Sequence, residues 1–240
     1  MTQADPLIVV ERLGVDRGGK AILCGVDLSV DKGPPFAIVG PSGSGKTTLL
    51  FAAAGLIPAT RGRITIGGKA IEGMPARERS ALLGLVFQDY QLFPHLTVLE
   101  NLTLAPSLHA RPGHERAARE LLADLGIEAL ADRRPHQVSG GQKQRVAIAR
   151  SLMIEPSVLF FDEPSAALDE GTTRELARLL LRLNERIQIV VVSHDRPFVE
   201  QCCPRGVRLS AGLVAAAGDS AAIFGVGHDA PVPGARRAAP

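Results

Sequence analysis

One stretch constrains this chain more than any other, and it reads Gly40-Pro41-Ser42-Gly43-Ser44-Gly45-Lys46-Thr47. It fits the phosphate-binding pattern G-x-x-x-x-G-K-S/T, follows the apolar run Ala37–Val39 and precedes a helix-forming run. Glycines let consecutive backbone N–H groups face one anion, and a helix start adds the positive end of its dipole. The pattern predicts that Lys46 reaches the β- and γ-phosphates of a nucleoside triphosphate and that Thr47 ligates Mg²⁺. The alternative is a flexible Gly/Ser turn with a chance lysine.

The bulk composition excludes some classes of partner. The chain has 240 residues, enough for one sizeable domain, and a net charge of +2 from 27 basic and 25 acidic side chains. This balance differs from the strongly basic surface of a dedicated nucleic-acid binder, so we expect no nucleic-acid partner.

The sequence carries no apparent export signal. The first residues lack a basic-then-apolar pattern, and no apolar run approaches the ~18 residues of a membrane span. The three cysteines, Cys24, Cys202 and Cys203, have no metal-binding spacing and suit a reducing compartment as buried thiols. We therefore expect a soluble, cytoplasmic chain, with any membrane part supplied by another polypeptide.

Short apolar runs that alternate with helical segments predict an α/β fold with a mostly parallel sheet. The core strands are predicted at Ala37–Val39, Leu85–Phe87, Val158–Phe161 and Ile187–Val192. An antiparallel β flank is predicted at Leu7–Val10, Ile22–Val30 and Arg63–Ile66, with turns at Gly18-Gly19 and Gly67-Gly68.

The middle and the end of the chain differ from this pattern. Helix-forming residues from Ser107 to Arg134, bounded by Pro106, Pro112 and Pro135, predict a helical insertion. A leucine stripe in Thr172–Asn184 predicts a helix that packs on the sheet. We expect one domain over residues 1–225, a helical subdomain over about 89–155, and a disordered Gly/Pro/Ala-rich tail at 226–240.

Two carboxylates follow the predicted strand at Val158–Phe161. In open α/β sheets, ligands bind at this carboxyl edge. Asp162 is the candidate Mg²⁺ partner, and Glu163 is the candidate base that polarises the attacking water. An acidic turn that merely ends the strand is the alternative.

A second anion site is predicted at Ser139-Gly140-Gly141-Gln142, ahead of a helix-like stretch. Ser139 and Gln142 form a capping-box pattern, which explains part of the motif. Adjacent glycines in a first helical turn cost roughly 1 kcal/mol each, so close approach by another group is the better account of Gly140 and Gly141. If this helix start and the phosphate loop lie in different lobes, one chain cannot easily bring both onto one triphosphate. Two chains that face each other can.

With these residues in hand, the chain resembles the ATP-binding cassette ATPases, the nucleotide-binding subunits of ABC transporters, from about Leu7 to Phe224. The elements follow the family order: the phosphate loop, the glutamine loop at Gln88, the signature Ser139–Gln142, the pair Asp162-Glu163, the loop Ser165–Asp169 and the switch histidine His194. The resemblance implies a P-loop NTPase core and two copies that sandwich two ATP molecules, each between one chain's phosphate loop and the other's signature.

The resemblance also implies roles for individual residues. Catalysis falls to Glu163, His194, Lys46 and Gln88, with His194 contacting the γ-phosphate. Metal binding falls to Thr47, Gln88 and Asp162. ATP binding falls to Gly40, Pro41, Ser42, Gly43, Ser44, Gly45, Lys46, Thr47, Thr48, Arg17, Ser139, Gly140, Gly141 and Gln142.

One position departs from the family pattern. Arg17 stands ahead of Gly18-Gly19, where family members usually place an aromatic ring under adenine. The chain has one tyrosine, Tyr90, and no tryptophan. The Arg17 guanidinium either stacks on the base, as arginine does elsewhere, or is simply solvated, and we expect weaker base recognition.

Residues 88–102, named here the docking segment, resemble the segment of polar amino acid importers that joins the glutamine loop to the helical subdomain facing the permease. Within it, Leu92 and Phe93 form either a docking surface, which we favour, or an ordinary core patch. We expect an ATPase subunit, peripheral on the inner face of the cell membrane, that drives uptake of a small polar solute such as an amino acid. Its expected partners are a second copy, a membrane permease and, through the permease, a solute-binding protein.

The same residues bear on other possible functions. Lipoprotein-release systems have a related sequence in the docking segment and are the main alternative. Ribosome-acting ABC proteins usually carry two cassettes in one chain, and DNA-repair relatives carry a long coiled coil, whereas this chain has one cassette and no heptad run. A regulatory module without turnover is disfavoured by the presence of Glu163 and His194.

Overall fold

Two β-sheets and eight α-helices make up the part of the chain that this computed structural model describes, residues 6–108 and 113–225. The strands are β1 (Ile8–Arg17), β2 (Lys20–Val30), β3 (Phe36–Val39), β4 (Arg61–Ile66), β5 (Lys69–Ala70), β6 (Leu83–Val86), β7 (Val158–Asp162), β8 (Gln188–Val192), β9 (Arg205–Ser210) and β10 (Leu213–Asp219). The helices are α1 (Lys46–Ala53), α2 (Ala76–Ser80), α3 (Val98–Leu108), α4 (His114–Asp124), α5 (Gly140–Leu152), α6 (Glu170–Asn184), α7 (Arg196–Cys202) and α8 (Ser220–Phe224). Single 3₁₀ turns lie at Glu128–Leu130 and Pro135–Gln137.

The larger sheet has six strands in the order β10-β9-β3-β8-β7-β6. Strands β9, β3, β8, β7 and β6 run parallel, and β10 pairs antiparallel with β9 at one edge. Every residue of β3, β7 and β8 is buried, because helices or the second sheet cover both faces. The predicted parallel core is confirmed, although β6 begins and ends earlier than the predicted Leu85–Phe87.

The smaller sheet is antiparallel, in the order β2-β1-β4-β5, and confirms the predicted β flank. Both residues of Gly18-Gly19 and of Gly67-Gly68 have positive φ, as tight hairpin turns of type I′ require. Strand β1 is much longer than the predicted Leu7–Val10. A register shift between Val10 and Leu13, with Arg12 at a φ of 46°, interrupts its alternation of buried and exposed residues.

The larger sheet separates two apolar clusters, since successive side chains of a strand point to opposite faces. Phe36 and Ile38 of β3 face the smaller sheet and α1, while Ala37 and Val39 face the cluster that includes α5, α6 and α7. At roughly 1.5–3 kcal/mol for each fully buried large aliphatic side chain, these two layers supply most of the favourable folding energy.

Helices α3, α4 and α5 pack against one another and contribute Leu102, Leu122 and Val146 to the second cluster. The predicted helical insertion is confirmed in α4. Pro106 does not bound it, however, because α3 continues through Pro106 in its last turn. Pro112 lies outside the described residues, as does the predicted tail at 226–240.

Two further findings concern the cysteines and the length of the helices. Cys24 is exposed, so the expectation of buried thiols is wrong for it and confirmed only for Cys202 and Cys203. Across residues 6–108 and 113–225, no helix combines the length and apolar character needed to cross a membrane.

Candidate functional site

The phosphate loop connects β3 to α1 at the carboxyl edge of the larger sheet. Gly45 is the N-cap of α1, and no side chain caps this helix start. Its first amides therefore lack a capping oxygen from a side chain, as a helix start that binds an anion should. Pro41, Ser42 and Gly43 are exposed, whereas Ser44 and Lys46 are buried.

Two buried polar side chains of the loop, Lys46 and Ser44, differ in their hydrogen bonding. The Lys46 ammonium donates to the carbonyl oxygens of Gly40 at 2.9 Å and Pro41 at 3.2 Å. The Ser44 side chain is only 3% exposed, and its hydroxyl has no hydrogen-bond partner. Buried hydroxyls nearly always have partners, so an orphan in this loop fits a phosphate oxygen as the missing acceptor.

Close packing against the same chain requires glycine at position 40. Its φ is 149°, and a Cβ there would lie 2.3 Å from the Leu209 carbonyl oxygen and 2.8 Å from the Ser44 hydroxyl. Strand β9, which carries Leu209, therefore supports the loop from behind. The loop is further tied to β2 through Gly212, which accepts a hydrogen bond from the Cys24 amide and donates one to the Ser44 carbonyl.

The two carboxylates at the end of β7 lie in different environments. Asp162 is 7% exposed and accepts a 3.3 Å hydrogen bond from the Thr47 hydroxyl. Burial raises the pKa of Asp162, and the neighbouring Glu163 charge raises it further, against lowering by the Thr47 hydrogen bond and the Lys46 charge. The predicted metal pair, Thr47 and Asp162, is thus in direct contact.

Glu163 lies between two cationic or potentially cationic groups. Its carboxylate is 3.7 Å from the Lys46 ammonium and 2.9 Å from Nδ1 of His194, and it also accepts from the His194 amide at 3.2 Å. The Glu163 backbone has a φ of 46°, a left-handed conformation that non-glycine residues rarely adopt and that clusters at functional sites. The amide of Glu163 donates to the Val192 carbonyl on β8 at 2.8 Å, which fixes this turn.

Neighbouring parallel strands bring these residues together. Asp162 pairs in register with Val192 on β8, and Ile38 on β3 pairs with the same residue. The residues that follow β3, β7 and β8 therefore meet at one edge. Gln88 follows β6 at the same edge, in an exposed turn next to β7. Within the described residues, no cluster of three or more His, Cys, Asp or Glu side chains forms a closed metal site.

The start of α5 confirms the predicted capping box. The Ser139 hydroxyl accepts from the Gln142 amide at 3.4 Å, and the Gln142 side chain accepts from the Ser139 amide at 2.9 Å. For Gly141, the expected close approach comes from the same chain, since a Cβ would lie 2.9 Å from the Thr172 methyl group. For Gly140, a Cβ would meet only the Tyr90 hydroxyl, at 3.9 Å. Ser139 and Gly140 are exposed.

One contact near the site was not predicted. The Ser165 hydroxyl donates to the Asp195 carboxylate at 2.7 Å, and Asp195 also caps α7 by accepting from the Phe198 amide. This contact joins the loop after the acidic pair to the residue after His194. An Asp followed by Pro197 at the second helical position is a helix-start signal that sequence inspection can find.

Arg17 is exposed at the end of β1, ahead of the Gly18-Gly19 turn. The following strand, β2, touches the phosphate loop, because a Cβ on Gly45 would lie 2.7 Å from the Leu23 side chain. Arg17 is thus carried by the hairpin that borders the loop, and its side chain forms none of the ion pairs found among the described residues.

Sequence comparisons with known proteins point to one family. A family profile described as ABC transporter matches residues 23–166. The L-cystine transport ATP-binding protein TcyN of Escherichia coli is 38% identical, over 86% of this chain and 87% of its own. The lipoprotein-releasing ATP-binding protein LolD of Alcanivorax borkumensis is 39% identical, over 80% and 88%. The sulfate/thiosulfate import ATP-binding protein CysA of Methylococcus capsulatus is 40% identical, but this chain spans only 61% of its length.

Solved structures show the same fold. CbiO1 of Clostridium perfringens, part of an ABC transporter complex, superposes with a TM-score of 0.83 at 32% identity, covering 91% of this chain and 90% of its own. The cassette MJ0796, solved as a dimer in a post-hydrolysis state with ADP and Pi, gives a TM-score of 0.75 at 31% identity, covering 89% and 98%. The chain therefore belongs to the ABC transporter family, as one of its ATP-binding ATPase domains.

Proposed function

We propose that this chain pairs with a second copy on ATP, hydrolyses the β–γ phosphoanhydride bond and thereby drives a separate membrane permease. Residues 1–225 form a single ATPase domain in this proposal, with the helical subdomain at about 89–155. The observation that carries it is the position of Glu163, in contact with the Lys46 ammonium and the His194 ring at one edge of the sheet.

Phosphate binding falls to the loop Gly40–Thr48. Lys46 turns from loop carbonyls to the β- and γ-phosphates, and the orphaned Ser44 hydroxyl gains an acceptor. Thr47 and Asp162 fit Mg²⁺, because a hydroxyl and a carboxylate oxygen already meet there and hard oxygen ligands are what this ion prefers. Bound there, the ion would neutralise phosphate charge, and Gln88 would respond to it and to the attacking water.

Glu163 acts as the base for the attacking water, and His194 contacts the γ-phosphate. The hydrogen bond from the His194 amide holds the carboxylate at the strand end, so that the base is positioned before substrate arrives. Lys46 and the loop amides stabilise the charge that builds on the transferred phosphoryl group.

Pairing would place the signature Ser139–Gln142 of one copy over the triphosphate of the other. The exposed start of α5 supports this, since Ser139 and Gly140 present backbone and hydroxyl groups to solvent. The dimeric MJ0796 structure, a relative at 31% identity, supports it as well.

Arg17 is the proposed adenine contact, through its planar guanidinium. Its place on the hairpin that borders the phosphate loop supports this assignment. Equal ATP affinity of wild type and Arg17→Ala would refute it.

Uptake of a small polar solute, such as an amino acid, is the proposed transport reaction, on the inner face of the cell membrane. The likeness to TcyN supports it, and the likeness to LolD supports a lipoprotein-release system as the alternative. The neighbouring genes decide between them. A solute-binding protein beside the permease supports uptake, and an outer-membrane lipoprotein chaperone supports release.

Replacement of Glu163 by Gln tests the proposed chemistry. Loss of a general base should lower ATP turnover by roughly 10²–10⁴-fold while ATP binding is retained. In the presence of ATP and Mg²⁺ this variant should pair, as size-exclusion chromatography with light scattering would show. Glu185→Gln, which changes an exposed carboxylate beyond α6, is the matched control. Turnover within about threefold of wild type would assign the base elsewhere.

A further inference from the structure

We propose that Arg150 is a positioning residue that fastens the docking segment to helix α5, so that Phe93 moves together with Ser139. The inference rests on the proposed function for what each end does: Ser139 meets the partner's ATP, and Phe93 meets the permease. It adds the physical connection between them.

Arg150 makes three contacts with consecutive parts of the docking segment. From the last turn of α5, its guanidinium donates to the carbonyl oxygens of Gln91 at 2.5 Å and Tyr90 at 3.0 Å. The same guanidinium lies 5.9 Å from the centre of the Phe93 ring, within the range of a cation–π contact. A planar fork with several donors can serve two carbonyls and a ring at once.

The backbone held by Arg150 is one that needs support. Tyr90 and Gln91 are consecutive non-glycine residues in the left-handed region, with φ values of 63° and 47°. Such conformations persist only where the surroundings over-determine them. The two Arg150 hydrogen bonds fall on the carbonyls of these same residues, so the side chain stabilises the turn at its least favourable point.

Phe93 is fixed from a second side. The Asn101 side chain, 1% exposed on α3, accepts from the Phe93 amide at 2.9 Å and donates to its carbonyl at 3.2 Å. The ring of Phe93 is nevertheless 41% exposed. The backbone at and before Phe93 is thus held by Asn101 and Arg150, while the apolar side chain stays exposed. A surface that receives force from a permease should present such a rigid, exposed contact.

Tyr90 extends the connection to the other end of α5. Its hydroxyl lies 3.9 Å from the position of a Cβ on Gly140, the first residue of the helix, while its carbonyl is held by Arg150 in the last turn. Burial raises the pKa of the Tyr90 phenol, in agreement with a ring packed against the protein. One residue of the docking segment is thus hydrogen-bonded to the last turn of α5 and lies near its first residue.

The single tyrosine makes this connection measurable. Because the chain has one tyrosine and no tryptophan, Tyr90 is its only strongly emitting side chain. We would measure acrylamide quenching of Tyr90 emission in the full chain for wild type, Arg150→Lys and Arg116→Ala. Lysine keeps the charge and the aliphatic stem but loses the fork. Arg116, an exposed arginine of α4, is the matched control.

We expect the quenching constant of Arg150→Lys to rise about twofold or more, because the turn opens locally, and that of Arg116→Ala to match wild type. Amide exchange in the docking segment should accelerate in the same variant only. A constant and an exchange rate equal to wild type in Arg150→Lys would overturn the inference, provided that circular dichroism shows a folded protein. Arg150→Ala, compared at equal helical content, repeats the test without the charge.

The second part of the experiment uses the Glu163→Gln chain with ATP and Mg²⁺. Pairing should change Tyr90 emission when Arg150 is present, and Arg150→Lys should lose about half of that change or more while pairing persists. Failure of Glu163→Gln to pair would count against the proposed function. Pairing with an unchanged Tyr90 response in Arg150→Lys would count against the role of Arg150 alone.

Discussion

The helix starts of α1 and α5 are both predicted anion sites, yet their surroundings differ. At α1, Ser44, Gly45 and Lys46 are buried, and strands β2 and β9 of the same chain press against the loop. At α5, Ser139 and Gly140 are exposed, and only the Tyr90 hydroxyl approaches Gly140. The first site is packed by its own chain, whereas the second is held by its capping box and is packed by its own chain only at Gly141, against Thr172.

A glycine in such a motif can therefore be required either by packing inside the chain or by a molecule that binds there. Gly40 is required by packing inside the chain, so its loss should damage both stability and ATP binding. Gly140 has no comparable internal contact, so its loss should damage only what another molecule does there. Substitutions at Gly40, Gly140 and Gly141 test this contrast.

Gly40→Ala should have the largest effect. The added methyl would collide with the Leu209 carbonyl, and the loop would have to shift, at a cost of roughly 2–4 kcal/mol in the free energy of unfolding. ATP affinity should fall by about 100-fold or more, because the loop amides lose their alignment. Denaturant unfolding and isothermal titration calorimetry measure the two effects. Gly43→Ala is the control, since its φ of 78° is strained but its Cβ meets nothing within 4 Å.

Gly140→Ala should leave the unpaired chain intact. Alanine in a first helical turn costs nothing sterically here and should leave the free energy of unfolding unchanged or raise it by up to about 1 kcal/mol. ATP hydrolysis should nevertheless fall roughly 10–100-fold, because in the proposed pair the methyl would displace the nucleotide held by the partner. Phosphate release and urea unfolding, measured together, check this.

The neighbouring glycine provides the comparison for that result. Gly141→Ala should lower stability by about 1 kcal/mol or more through its contact with Thr172. Full ATP turnover in Gly140→Ala would contradict the contrast between the two helix starts.

Asp162→Asn concerns the carboxylate next to the phosphate loop, and its effect on stability should depend on pH. Burial raises the pKa of Asp162, so the folded protein binds this proton more tightly than the unfolded chain does. Above the raised pKa the buried charge costs stability, and the Asn variant should be more stable without added nucleotide. As pH falls through the raised pKa towards the ordinary value of 3.8, wild type takes up the proton and the difference should vanish.

Urea midpoints from neutral to acidic pH, in wild type and Asp162→Asn, would show this convergence. A variant that is less stable than wild type at neutral pH would contradict it. Turnover with Mg²⁺ should fall in the same variant, since the proposed carboxylate ligand is lost.

The parts of the fold that the sequence predicts well are those with continuous signals. Strands β3, β7 and β8 are runs of buried apolar residues, which have one interpretation in an α/β chain. Strands β9 and β10 were missed because Arg205 and Arg208 interrupt the first and small alanines fill the second. The sequence signal for β1 ends at Val10, because the bulge at Arg12 interrupts the alternation of buried and exposed residues.

The candidate site shows the same limit. Its motifs are local and can be recognised in the sequence, since the phosphate loop, the acidic pair and the capping box each lie within eight residues. The contact of Glu163 with His194, and the hold of Arg150 on Tyr90, join residues 31 and 60 positions apart. Only strand order and helix packing bring such pairs together, and neither can be predicted from a short motif.

The ion pair of Lys46 with Glu163 has a consequence for the order of events in a cycle. A triphosphate that draws the ammonium to itself competes with the protein's own acid for the same cation. Each loading event would then leave Glu163 without this ion pair. In the proposed cycle, Lys46 and Glu163 therefore stay paired until a triphosphate is bound.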